Sequence, residues 1–145
     1  MPLVCFALAI AMMVRVRTMT QKYDGFVPGS HEIEGFGAGG FRFADMSHRG
    51  SLLVLPSGIC AWDVATTADL TPQSLQRILD EPKGSIELLL IGTGEFLLPI
   101  RADVRASLKE AGIGIDAMAS AHAIATYNIL FAEKRRVAAA LLAVS

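Results

Sequence analysis

The chain has 145 residues, is 52% hydrophobic and 19% charged, and carries a formal net charge of -1. That length fits one domain, able to bury roughly two-thirds of the surface its unfolded form exposes. The composition excludes a disordered chain, and the near-neutral charge excludes the strong positive field of a nucleic-acid binder.

Residues 3–14 are almost wholly apolar. The run is shorter than the roughly 20 residues that span a bilayer. Arg15 and Arg17 follow it, whereas a secretory signal carries its charge in front. Three readings stay open: a mis-assigned start with Met19 as the first residue, a short targeting or membrane segment, or an ordered element. Residues 1–32 are read as an N-terminal extension, flexible or the product of that mis-assigned start. Residues 33–145 are read as one α/β domain.

Residues 33–36 and 41–43 are short predicted strands flanking a glycine cluster. Residues 51–55 form a continuous apolar strand. Pro56, Ser57 and Gly58 signal a turn, and residues 59–62 return as the second arm of a hairpin. Thr71 is a predicted helix cap with Pro72 in the first helical position, and Leu70 can staple onto Leu75. Leu75, Ile78 and Leu79 are the buried face of that helix. Residues 86–91 read as a buried central strand. A second helix is predicted over 100–111 and closed by Gly112. A strand follows at 113–118, then a third helix capped by Ser120 and running to about Glu133. Ile124, Tyr127, Asn128 and Phe131 share one face of it. The alanine-rich tail, 136–144, has helical composition but the length and position of a last strand, and is read as a strand. Strands followed by β-α-β-α-β predict a mixed sheet with helices against it.

Gly35, Gly37 and Gly40 spell the dinucleotide fingerprint. That motif needs a helix after the glycines to hold a pyrophosphate. Phe41, Arg42 and Phe43 alternate like a strand instead, so the cluster is read as a turn or bulge. His31, His48 and His122 show no metal-ligand spacing. Asp45, Ser47 and His48 are close in sequence without forming a recognised nucleophile motif, and His48 is read as a polar loop residue. Cys5 and Cys60 are too few for a disulfide framework and point to a reducing, cytoplasmic setting. Cys60 lies in an apolar run and is read as a buried, inert thiol. Lys134, Arg135 and Arg136 are read as a solvated helix end.

Gly92, Thr93 and Gly94 form the leading candidate site. They follow the best central strand, at the carboxyl end where open α/β sheets bind ligands. Trp62 and Asn128 are candidate neighbours, and Arg101 or Arg136 could supply charge. Asn128 lies on an otherwise apolar helix face. An unpartnered buried amide costs roughly 1–3 kcal/mol, so Asn128 is expected to bond a definite partner: a backbone loop such as that at 92–94, or else a ligand.

The stretches 37–43, 50–58 with Trp62, 89–94, 126–130, then Glu133 and 136–141 resemble a small uncharacterised domain family. It is widespread in bacteria and archaea and includes mitochondrial complex I assembly factor three. The resemblance covers residues 33–144. It implies a three-layer α/β fold with a mixed central sheet, an N-terminal β-hairpin region and about three helices, the tail being a strand. It also implies action through protein partners, with no enzymatic activity established for the family. Many bacterial members carry Arg before Thr-Tyr-Asn where this chain has Ala125, which puts any ligand of that Arg in doubt here.

The expected function is a non-enzymatic binding or assembly module, linked to respiratory complex I assembly. It needs no cofactor or metal and binds complex I subunits or assembly factors. It does not bind nucleic acid and meets the membrane only indirectly. The alternative is a small-molecule-binding protein or uncharacterised enzyme with its pocket at Gly92, Thr93 and Gly94.

Overall fold

The computed structural model describes residues 25–144. The apolar stretch 3–14 and its three readings lie outside them. Among the described residues nine strands form two sheets. The larger has the order β1(Phe26–Pro28), β6(Gly58–Trp62), β5(Ser51–Leu55), β9(Val137–Leu141), β7(Leu88–Gly92), β8(Gly114–Met118). β1, β6, β5 and β9 are mutually antiparallel neighbours, while β9, β7 and β8 run parallel. The sheet is therefore mixed, as expected. It begins upstream of the expected boundary at Ile33, because Val27 pairs with Ile59 on the edge strand.

The side-chain alternation of the strands divides the interior in two. Leu53, Leu55, Leu89, Ile91, Ala138 and Ala140 point to one face. There they meet Ile78 of α1(Gln76–Leu79) and Val104 and Leu108 of α2(Ala102–Glu110). Leu52, Val54, Leu90, Ala139 and Leu141 point to the other. They meet Ile124 and Tyr127 of α3(Ser120–Ala132) and Phe41 and Phe43 of the small sheet. The result is three layers. β7 leads through α2 to β8 on one side, and β8 returns through α3 to β9 on the other. Right-handed crossovers in opposite directions place the two helices on opposite faces.

The alanines of the tail have a packing reason. β9 lies at the centre of the sheet, and Ala138, Ala139 and Ala140 are fully buried. α3 lies across both β7 and β9, and the small side chain of Ala139 on that face lets it come close, while Ala138 and Ala140 face the opposite layer.

The small sheet is a meander of β2(Gly35–Gly37), β3(Gly40–Phe43) and β4(Met46–Arg49). The glycine cluster is the first turn: Gly37 pairs with Gly40 across Ala38 and Gly39, both with positive φ. No helix follows, so the fingerprint spelling carries no dinucleotide site. β4 was not expected. His48 lies on it rather than in a loop, its ring Nε2 3.1 Å from the Ser51 carbonyl.

Two predicted helix signals came out differently. Thr71 Oγ1 accepts from the Ser74 N–H at 3.2 Å and Ser74 Oγ from the Thr71 N–H at 3.0 Å, a reciprocal capping box. The helix nevertheless starts as a 3-10 turn, Gln73–Leu75. The Ser74 carbonyl accepts from Trp62 Nε1 at 2.8 Å and so is diverted from the helical ladder. Ser120 does not cap α3. It occupies the first helical position and its hydroxyl turns sideways into the core.

Candidate functional site

The loop after β7 is tied down at every turn. Gly92 is buried, and a Cβ there would lie 2.8 Å from Ser120 Oγ and 2.9 Å from Ser120 Cα. Glycine is required by close approach to the start of α3. The Thr93 N–H donates to the Met118 carbonyl at 2.9 Å. Its hydroxyl donates to the Phe96 carbonyl at 2.6 Å and accepts from the Leu98 N–H at 3.1 Å. Gly94, at φ +97, donates its N–H to Ser120 Oγ at 3.0 Å and accepts from the Ser120 N–H at 2.8 Å. Ser120 Oγ in turn donates to the Leu142 carbonyl at 2.7 Å. Ser120 is fully buried.

The polar groups of Gly92, Thr93 and Gly94 thus serve the protein's own structure. Beyond the exposed Glu95, what the loop presents outward is apolar. Phe96 is 69% exposed, Leu97 63% and Leu98 41%. The buried Thr93 hydroxyl bonds their backbone at the Phe96 carbonyl and the Leu98 N–H.

The other candidate residues do not gather there. Asn128 Oδ1 accepts from the Ile33 N–H at 2.9 Å and its Nδ2 donates to the Ile33 carbonyl at 2.8 Å. Both ends of the amide are used on one backbone residue. Asn128 lies eight residues along α3 from Ser120, a rise of about 12 Å. The expectation of a definite partner holds, but the partner is the entry to the small sheet rather than the loop at 92–94. Trp62 is on the same rim as Gly92 but three strands away, about 14 Å. Its indole is spent on Ser74. Arg101 makes a bidentate pair with Asp103 at the start of α2, with N–O distances of 3.1 and 2.7 Å, at an exposed position. Arg136 precedes β9 and so lies at the opposite end of the sheet from Gly92, about 17 Å along the strand.

Around Arg136 there is a cleft of about 510 Å³. Tyr127, Phe131 and Val137 line it together with Lys134, Arg135 and Arg136. The Tyr127 and Phe131 rings stack with centroids 5.7 Å apart. Arg135 and Arg136 both reach Glu87, at 3.3 and 3.4 Å. Tyr127 is buried and its hydroxyl donates to the His31 carbonyl at 3.2 Å. Burial pushes its pKa up to about 12. Burial likewise pushes the Cys60 thiol up, away from the reactive thiolate.

Sequence reasoning missed Ser120 as a core residue, because a serine before a helical run reads as a cap. It also passed over Phe96, Leu97 and Leu98, three apolar residues in a row between a glycine turn and a proline. Their position in a loop was the available signal. Among the described residues no group of three or more His, Cys, Asp or Glu is placed to hold a metal ion. None of the described helices is long and apolar enough to cross a membrane.

Fold and loop together define a three-layer α/β domain that displays an exposed apolar loop. The chain belongs to the family of proteins of unknown function DUF498/DUF598, whose model matches residues 33–142. It is 38% identical over 104 residues to NADH dehydrogenase [ubiquinone] 1 alpha subcomplex assembly factor 3 of Danio rerio, across 71% of this chain and 59% of that one. The chain thus spans about three-fifths of that relative's length. An uncharacterised protein of Rhodobacter capsulatus is 33% identical over 128 residues, across 86% of this chain and 93% of that one. Among solved structures, one described as an outer membrane protein from Bartonella henselae is 47% identical with a TM-score of 0.78, covering 81% of this chain and 98% of that one. A Bordetella pertussis protein described as a Mth938-like domain is 29% identical with a TM-score of 0.67, covering 77% and 85%.

Proposed function

We propose that the chain is a non-enzymatic binding module that acts through protein contacts in the assembly of respiratory complex I. The observation that carries the reading is the loop of Phe96, Leu97 and Leu98, exposed yet braced at its backbone by the buried Thr93 hydroxyl. Contiguous apolar surface on a folded domain marks an interaction site. Bracing its backbone lowers the entropy lost on binding. The relatives named as complex I assembly factors supply the process. The partners in this reading are complex I subunits or other assembly factors. The chain itself works in the cytoplasm and meets the membrane only through those partners.

The test is an affinity pull-down of the tagged chain from its own cells, beside a Phe96→Ser/Leu97→Ser variant. Recovery of complex I subunits or assembly proteins by the parent chain, reduced at least fivefold by the variant, is expected. Both side chains are exposed, so the variant should keep its stability within about 0.5 kcal/mol. A pull-down that never recovers such proteins counts against the complex I link. Equal recovery by the variant removes the loop from the contact.

A further inference from the structure

The cleft at the far end of the sheet plays no part in the reading above, and three observations give it a ligand class. Its volume, about 510 Å³, falls in the range of small-molecule sites. Its charge is one-sided: three cations line it, and Glu87 is the one carboxylate paired with them. Lys134 has no ion-pair partner among the described residues. Two positive charges are therefore unmatched beside the apolar surface of Tyr127, Phe131 and Val137.

The third observation is where Lys134 sits. α3 ends in a Schellman motif: the Arg135 N–H bonds the Leu130 carbonyl at 3.0 Å and the Lys134 N–H the Phe131 carbonyl at 2.9 Å. α2 ends the same way, the Ile113 N–H reaching Leu108 and the Gly112 N–H reaching Lys109. In α2 the left-handed position is Gly112, at φ +79. In α3 it is Lys134, at φ +62. A backbone that favours glycine carries a long cation instead, and the cation lines the cleft. Lysine is carried there at a cost in backbone strain that glycine would avoid.

The attraction comes from the side chains and not from the helix. The C-terminal end of a helix is its negative end, and the motif already occupies the Leu130 and Phe131 carbonyls. We propose that the cleft binds a small amphipathic anion, its carboxylate or phosphate head on Lys134, Arg135 and Arg136 and its apolar body against Tyr127 and Phe131. A free inorganic ion leaves the aromatic wall unused, and a neutral chain leaves the cations unused.

The experiment titrates the full chain with decanoate, decyl phosphate, decanol and inorganic phosphate, by calorimetry and by amide chemical shifts. Decanoate or decyl phosphate should bind at least tenfold more tightly than decanol or inorganic phosphate, with shifts centred on Phe131, Lys134 and Val137. The stronger of the two identifies the head group. Lys134→Glu/Arg136→Glu should weaken that binding at least tenfold while the circular dichroism stays unchanged. Lys134→Gly should weaken it while raising the thermal midpoint, so that lost binding cannot come from lost folding. Absence of binding by both decyl anions, equal binding of decanol, or an affinity indifferent to Lys134→Gly would overturn the proposal.

Discussion

Replacing Ser120 by alanine tests how the two halves of the parallel β-layer are locked together. The hydroxyl is fully buried, accepts from the Gly94 N–H at 3.0 Å and donates to the Leu142 carbonyl at 2.7 Å. Ser120→Ala leaves a buried donor on the loop after β7 and a buried acceptor after β9. Each orphaned group costs about 1–3 kcal/mol. Alanine returns about 0.5 kcal/mol through its better helix propensity. The net loss should be about 1.5–5.5 kcal/mol, a large share of the roughly 5–15 kcal/mol that holds a domain together. Urea unfolding at constant m-value measures it, and hydrogen exchange at the Gly94 amide localises it. A loss under about 0.5 kcal/mol, with the Gly94 amide still protected, would show that the hydroxyl does not bridge these strands.

The neighbouring Gly92→Ala should also destabilise, by the roughly 1–3 kcal/mol of an overpacked core. Adding Ser120→Ala should not rescue it, because the Ser120 Cα at 2.9 Å remains; rescue in the double mutant would contradict the geometry. Lys134→Gly should stabilise by about 0.5–1 kcal/mol, since lysine pays about 1–2 kcal/mol for left-handed backbone and glycine returns part of that gain through unfolded-state entropy. An unchanged or lowered urea midpoint would deny the strain. Tyr127 should make the fold alkali-sensitive. Its folded pKa of about 12 lies above the unfolded value, so its contribution is complete below about pH 10 and is lost as pH climbs through about 12, some 2–3 kcal/mol in all. Tyr127→Phe should flatten that decline, and a parallel decline in both proteins would assign it to other groups.

Much of the sheet was legible because its strands are uniform apolar runs between turn residues. Residues 51–55 and 59–62 read as strands of a hairpin and are strands, the second starting one residue earlier at Gly58, and Gly112 closes α2 where its position demanded. The tail was legible only by its place in the order. Alanine favours helix in isolation, and what makes 137–141 a strand is the pairing of β5 and β7 on either side. Such non-local pairing leaves no local mark. The site was less readable for the same reason. Helical spacing put Asn128 on the inner face of α3 and demanded a hydrogen-bond partner, but could not say which backbone it would face. That partner, Ile33, is 95 positions away in the chain. β4 escaped because Ser47, His48 and Arg49 are polar and its inward residues alternate with exposed ones. Lys134, Arg135 and Arg136 read as a solvated end, and only the fold brings the Tyr127 and Phe131 rings beside them.

The order of strands also constrains how the chain can be made. β1, β6 and β5 form one half-sheet and β7 and β8 another, and in the hydrogen-bond ladder only β9 joins them. Among the described elements β9 comes last in chain order. A nascent chain therefore holds two half-sheets, with the apolar rows of β5 and β7 open at their inner edges, until residues 137–141 emerge and close the seam. Translation arrest or proteolysis ahead of Val137 removes the keystone rather than a loose end, and the product should pair edge to edge with other chains.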